Sequence, residues 1–149
     1  MHVGILLKDS AHPVHTIPSN QTVDDAINLM TSKKVSALVV TENDRPVGIF
    51  AERDILRSYL KNRNALFTKI QLTDVMSGNL ITARPDDNIS DTLATMIQAD
   101  IKHLPVVEGE TITALIVLND LIKYQIDTLT AELHQLKDYI TDLHEAGRD

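Results

Sequence analysis

The residues of this chain best suited to chemistry are Arg53 and Asp54, in the run Gly48-Ile49-Phe50-Ala51-Glu52-Arg53-Asp54, where an apolar strand ending passes into three charged side chains. At a strand-to-helix junction the first helical N–H groups lack intrahelical partners and, with the helix dipole, attract an anion such as phosphate. A carboxylate beside them serves a different purpose. Its two acceptor oxygens suit two adjacent hydroxyls, as on a ribose, each charge-assisted bond being worth roughly 1.5–3 kcal/mol. The dipole also favours an acid in a first helical turn when no ligand exists, so the junction gains meaning only if it recurs. It does: Asn119-Asp120 follows the apolar run Ala114-Leu115-Ile116-Val117-Leu118 on the same plan, without an arginine.

Other constellations carry less. His12 and His15 are three apart with Pro13 between them and no further ligands in view, which suits a loop or strand edge better than a metal site. Met30 and Met96 read as core fillers. Nothing resembles a nucleophile elbow, a phosphate-cradling glycine loop or a zinc-hydrolase helix, and with five glycines the chain is poor in such loops. No enzyme activity and no bound metal are expected.

Composition narrows the classes further. At 149 residues, 43% of them hydrophobic, the chain can build one core or two small half-domains sharing one. A net charge of −7 and the absence of tryptophan disfavour nucleic acid, which needs basic surface and stacking platforms. No run approaches the length of a membrane span, and the start Met1-His2-Val3-Gly4-Ile5-Leu6-Leu7 has too short an apolar run for a secretory signal, so a cytoplasmic protein without membrane contact is expected. With no cysteine, disulfides and thiol chemistry are excluded.

The elements that must position the two junctions come in two copies. At an offset of 66 residues, Val14–Leu60 aligns without a gap on Leu80–Ile126, so that Thr16 meets Thr82, Asp25 meets Asp91, Met30 meets Met96 and Asp54 meets Asp120. The apolar pattern stays in phase almost throughout, as buried faces require, since a single inserted residue would reverse every side chain of a strand. In each copy an extended piece (His15–Pro18, Ile81–Pro85) leads to a helix start at Thr22 or Asn88, residues that can cap. Apolar residues at helical spacing follow, then two β-branched runs joined by a turn, then a second helix. The order is strand, helix, strand, strand, helix, twice.

With these pieces in hand the chain resembles a tandem pair of CBS domains, sometimes called a Bateman module. The resemblance covers residues 14–126 and rests on Asp74-Val75-Met76 before the second copy, Thr82 with Pro85-Asp86-Asp87, the run His103-Leu104-Pro105-Val106-Val107, and the two junctions ending in Asp54 and Asp120. It implies an α+β fold of two pseudo-twofold-related β-α-β-β-α half-domains: residues 1–62 as the first repeat with its N-terminal segment, 63–126 as linker and second repeat, and 127–149 as a helical tail. It also implies two clefts that in many relatives hold AMP, ADP, ATP, NAD or S-adenosylmethionine, in some with magnesium. By resemblance Asp54 and Asp120 grip ribose, and Arg53 and Arg57 face phosphate. Lys102 and His103, with Lys123, supply a basic neighbourhood for the second cleft. The adenine slot implied by the family lies along His15-Thr16-Ile17 and Val35-Ser36-Ala37, and along Thr82-Ala83 and Ile101 with Leu104-Pro105. Relatives usually carry Ser or Thr three residues before the aspartate; here Ala51 and Val117 stand there, and the lost hydrogen bond is worth about 1 kcal/mol. Asp54 itself is expected at a solvent-facing helix start.

Beyond Asp120, Ile122, Ile126, Leu129, Leu133, Leu136, Ile140 and Leu143 alternate four and three apart, a heptad seam without proline or glycine until Gly147. Such a seam calls for a homodimeric coiled coil or for packing back onto its own domain. The function expected is a non-catalytic regulatory module that binds an adenosine-containing ligand and signals to a further protein by changing shape or assembly. The alternative is a dimeric interaction scaffold whose clefts have degenerated.

Overall fold

The computed structural model describes residues 2–7, 12–78 and 80–147. A short 3-10 turn (Val3–Leu7) precedes β1 (Thr16–Pro18), α1 (Val23–Lys33), β2 (Ala37–Glu42), β3 (Arg45–Ala51) and α2 (Glu52–Lys61). A linker with a short helix α3 (Leu72–Val75) leads to the second copy: α4 (Ile89–Ala99), β4 (His103–Glu108), β5 (Thr111–Val117) and α5 (Leu118–Ala146). The mixed α+β architecture and the long terminal helix agree with the sequence reading.

Local chemistry sets the helix boundaries. Thr22 caps α1 in a reciprocal box with Asp25, and the side chain of Asn88 accepts the Asp91 N–H at the matching start of α4. Both helices end on a left-handed residue, Lys34 at φ 55° and Asp100 at φ 53°, each closing the last carbonyls with its N–H. These two residues are also one repeat apart.

The sheets repeat as well. β1 runs parallel to β2 with Ile17 opposite Val40, and β2 pairs antiparallel with β3, Leu38 opposite Phe50. In the second copy β4 pairs with β5, Leu104 opposite Ile116, and the register slips at Val106/Val107 just as it does at Val40/Thr41. The extended piece expected at Ile81–Pro85 shrinks to one bridging residue, Ala83 against Val106, the counterpart of Ile17 against Val40. The chain leaves the sheet there because the Arg84 N–H is taken by the Asp87 carboxylate at 2.8 Å, which turns the backbone toward α4.

Two cores result, and each borrows a segment from across the nominal repeat boundary. The first contains Val23, Met30, Leu38, Val40 and Phe50, and is completed by Ile70 and Leu72 of the linker. The second contains Ile89, Met96, Leu104, Ile116 and Leu121, and is completed by Val3 and Leu6 of the N-terminal turn. Main-chain bonds seat both segments: Val23 N–H to Ile70 C=O and Leu72 N–H to Gln21 C=O on one side, Val3 N–H to Asp87 C=O and Gly4 N–H to Pro85 C=O on the other. Division at residue 62 therefore cuts the sequence between repeats but does not separate the cores, since a half-domain with one open sheet face needs another segment to cover it.

The same exchange continues at the sheet edges. Ile49 and Ser77 bond to each other through both backbone groups, as do Leu115 and His12. Gly48 is required by the first of these approaches, because a Cβ there would sit 2.5 Å from the Ser77 carbonyl oxygen.

Candidate binding clefts at the two strand-to-helix junctions

The exchanged segments place each junction opposite the other copy. The cleft at the first junction is lined by Ala51, Arg53, Asp54 and Arg57 from one half and by Ile81, Ile101, Lys102 and His103 from the other. The cleft at the second junction reverses the roles: Val117, Asn119 and Asp120 face Val35, Ser36 and Ala37, with His12 and Pro13 at one side. Ala51 and Val117, Arg53 and Asn119, Ile101 and Val35 are one repeat apart, so the two linings are pseudo-symmetric. Their volumes are not: about 160 Å³ at the first junction and about 770 Å³ at the second.

Asp54 stands differently from its expectation. It is only 5% exposed rather than solvent-facing, and its carboxylate accepts the Ala51 N–H at 2.8 Å, the reciprocal half of a capping box whose other half alanine has no side chain to make. Burial raises its pKa above the ordinary 3.8, opposed by the Ala51 N–H and by the Arg57 and Arg53 guanidinium groups. Arg57 lies 3.9 Å from the second carboxylate oxygen. Arg53 is turned across the cleft, where its guanidinium donates to the Asp100 carboxylate at 2.9 Å and to the Asp100 carbonyl oxygen. At the second junction the Asp120 carboxylate lies 2.8 Å from His12 Nε2, a pairing invisible in a sequence where the two are 108 residues apart.

His103 lines both clefts and lies 3.0 Å from the Ser36 hydroxyl, joining the copies at their shared wall. Burial lowers its pKa below the usual 6.5; Glu52 opposes this, while His12, Lys102 and Arg53 reinforce it. It therefore offers a hydrogen bond rather than a fixed positive charge. The folded state binds this proton less tightly than the unfolded chain, so the stability it contributes is full above pH 6.5 and is lost as pH falls through the lowered folded value. His103→Gln, neutral at every pH, should match the wild-type melting temperature near about pH 7.5 and exceed it near about pH 5. Parallel acid limbs for the two proteins would contradict this.

Other expected site residues fall in varied places. Lys102 lines the first cleft and not the second. Ile17, Ala83 and Leu104 are core residues, and Pro105 is buried in β4. Thr16 is exposed on β1, and Thr82 lines a small hollow with Asn88 and Asp91 at the start of α4. His15 is half-buried and lines neither cleft. Among the lining residues that escaped the sequence reading are Lys33 and Lys34 in the second cleft and Asp100 in the first. Lys34 and Asp100 were detectable as matched helix ends with opposite charges. Among the described residues no group of three or more His, Asp or Glu is placed to hold a metal ion, and no helix is long and apolar enough to cross a membrane.

A duplicated fold whose halves trade segments and leave a cleft at each junction can be compared with known proteins. Two segments, residues 7–61 and 72–127, each match the CBS domain family. The chain belongs to the CBS domain family. It is 30% identical over 119 residues to the CBS domain-containing protein YhcV of Bacillus subtilis, spanning 79% of this chain and 83% of that one. Among solved structures, a CBS-domain protein from Burkholderia ambifaria superposes with a TM-score of 0.76 at 28% identity, over 85% of this chain and 95% of the other. The CBS domain pair of protein MJ0100, solved with 5′-methylthioadenosine and S-adenosyl-L-methionine, shares the fold with a TM-score of 0.72 at 20% identity, over 86% and 98% of the two chains. Some curated relatives are longer chains, of which this one spans 61% in one case and 32% in another.

Proposed function

We propose that this CBS pair is a non-catalytic regulatory module that binds an adenosine-containing ligand in its inter-copy clefts and acts as a homodimer. The observation that carries the reading is the pseudo-symmetric pair of clefts, each bringing an aspartate from one copy against the strand start of the other. At about 770 Å³ the second cleft falls within the range of small-molecule sites. Asp120 has one oxygen on His12 and a second available for a ribose hydroxyl. Val35 and Ala37 furnish apolar surface, and Lys33 and Lys34 stand at the rim for a phosphate or carboxylate. The bound ligands of MJ0100, both adenosine derivatives, favour the same class.

The dimer reading rests on α5. From Leu129 to Gly147 every residue is exposed, so the tail gains no cover from its own domain. Ile126, Leu133 and Ile140 occupy one seam position and Leu129, Leu136 and Leu143 the other; isoleucine at two of the first three sites with leucine throughout the second leans toward two parallel strands. Glu132 of one strand would meet Lys137 of the other at the flanking positions. Asp120 in the first turn of α5 lies half a turn from Ile122, where this seam begins, which gives a cleft ligand a rigid connection to the assembly.

A second reading, a dimeric scaffold with idle clefts, is favoured by one feature: Arg53 and Asp120 already hold partners within the chain. Thermal-shift screening of AMP, ATP, NAD and S-adenosylmethionine separates the two. Under the regulatory reading at least one of these raises the melting temperature, and Asp120→Asn together with Asp54→Asn abolishes the shift; asparagine is chosen because its side-chain oxygen can still accept the Ala51 N–H. No shift at millimolar ligand would leave the scaffold. Turnover of any of them would require an enzyme.

A further inference from the structure

The two clefts differ in charge at one pair of matched positions. In the first cleft Arg53 reaches from α2 of one copy to Asp100, the left-handed residue that ends α4 of the other copy. One guanidinium nitrogen bonds the carboxylate at 2.9 Å and the other bonds the carbonyl oxygen, so the fork that would receive two oxygens of a phosphate is already filled. One repeat away, the same two places in the second cleft hold Asn119 and Lys34. An amide and an ammonium group cannot close such an ion pair. The cleft with the pair measures about 160 Å³ and the cleft without it about 770 Å³, the first below and the second within the range of small-molecule sites.

Resting on the adenosine reading above, we propose that Asp100 is a built-in competitor for ligand phosphate in the first cleft. The second cleft then fills first, and the first accepts a phosphate-bearing ligand only when Arg53 exchanges the Asp100 carboxylate for it. The side chain of Asp100 is 81% exposed and that of Arg53 36%, so the pair is of the weak surface kind that a phosphate can displace. The competition acts on phosphate and not on the nucleoside, because ribose and base do not call on Arg53. Two forms of the same ligand are thereby distinguished: a nucleoside meets no internal rival in the first cleft, whereas its monophosphate does.

The test is calorimetric titration of the full chain with AMP and with adenosine, in an Asp120→Asn background so that the first cleft is read alone. Asp100→Asn suits the purpose, since asparagine tolerates the left-handed backbone at this position. It should raise affinity for AMP about two- to fivefold, the size of an exposed ion pair, and leave adenosine unchanged. The gain should vanish when Arg53→Gln is added. No gain for AMP, an equal gain for adenosine, or a gain that survives loss of Arg53 would each overturn the proposal while leaving the adenosine reading in place. Failure of the wild-type chain to bind either compound would overturn that reading, and the proposal with it.

Discussion

Replacing Leu129 and Leu136 together by glutamate is expected to convert a dimer into a monomer whose CBS halves remain folded. Both side chains occupy the same seam position of α5, and each is more than half exposed in the single chain, 54% and 53%. Neither supports either core. Inserted charges would therefore cost the isolated chain little, but at a coiled-coil seam two glutamates per strand would face two more and lie where apolar knobs should interlock. Three heptads are near the lower limit for an independent coiled coil, so the loss should be complete rather than partial. Sedimentation equilibrium reads the outcome as a halving of mass, with the thermal transition of the heads as control. If the double variant keeps the wild-type mass, the seam has no part in assembly. If the wild type is itself monomeric, the homodimer fails with it.

Leu6→Ala is expected to destabilise the chain by about 2–5 kcal/mol, the usual range for emptying a leucine site in a core. Leu6 is 3% exposed and packs with Val3 into the cluster of Ile89, Met96, Leu104 and Ile116, across the nominal boundary between repeats. Its neighbour Ile5 is 50% exposed and supplies the contrast, since Ile5→Ala should stay within about 0.5 kcal/mol. Urea unfolding of the two variants decides the matter. Equal midpoints would mean that the N-terminal turn does not seat on the second half. A large loss confined to Leu6 would establish that the two repeats are one cooperative unit, because the cover of the second core is tethered to the start of the first.

This interdependence bears on how a cleft could report its ligand. Each cleft is built from both copies, and His103 stands in the walls of both. Under the regulatory reading, a ligand that favours one arrangement of the copies at one junction would act on the other through the same interface, since a population can shift only by such a difference in affinity. On the same reading, Asp120 at the start of α5 would carry that influence toward the tail.

Much of this organisation was legible in the residues themselves. Hydrophobic period, β-branched runs, the caps at Thr22 and Asn88 and the ungapped match at 66 residues are consequences of near neighbours, and they determined the element order, the duplication and the long amphipathic tail. The family pattern then pointed to Asp54 and Asp120 as places to look. Tertiary structure alone decided what those residues touch. The half-domains are each left with an uncovered face, and they satisfy it by exchange, so the partners that matter lie far apart in the chain: His12 beside Asp120, Arg53 on Asp100, Ser36 against His103, Leu6 in the second core. Burial followed the same packing, turning Asp54 from an expected surface acid into an enclosed helix cap. Local spacing encodes helices, strands and caps because their bonds close within a few residues. The docking of one copy on the other is set by surfaces that exist only after those elements form, and the chemistry of both clefts belongs to that later step.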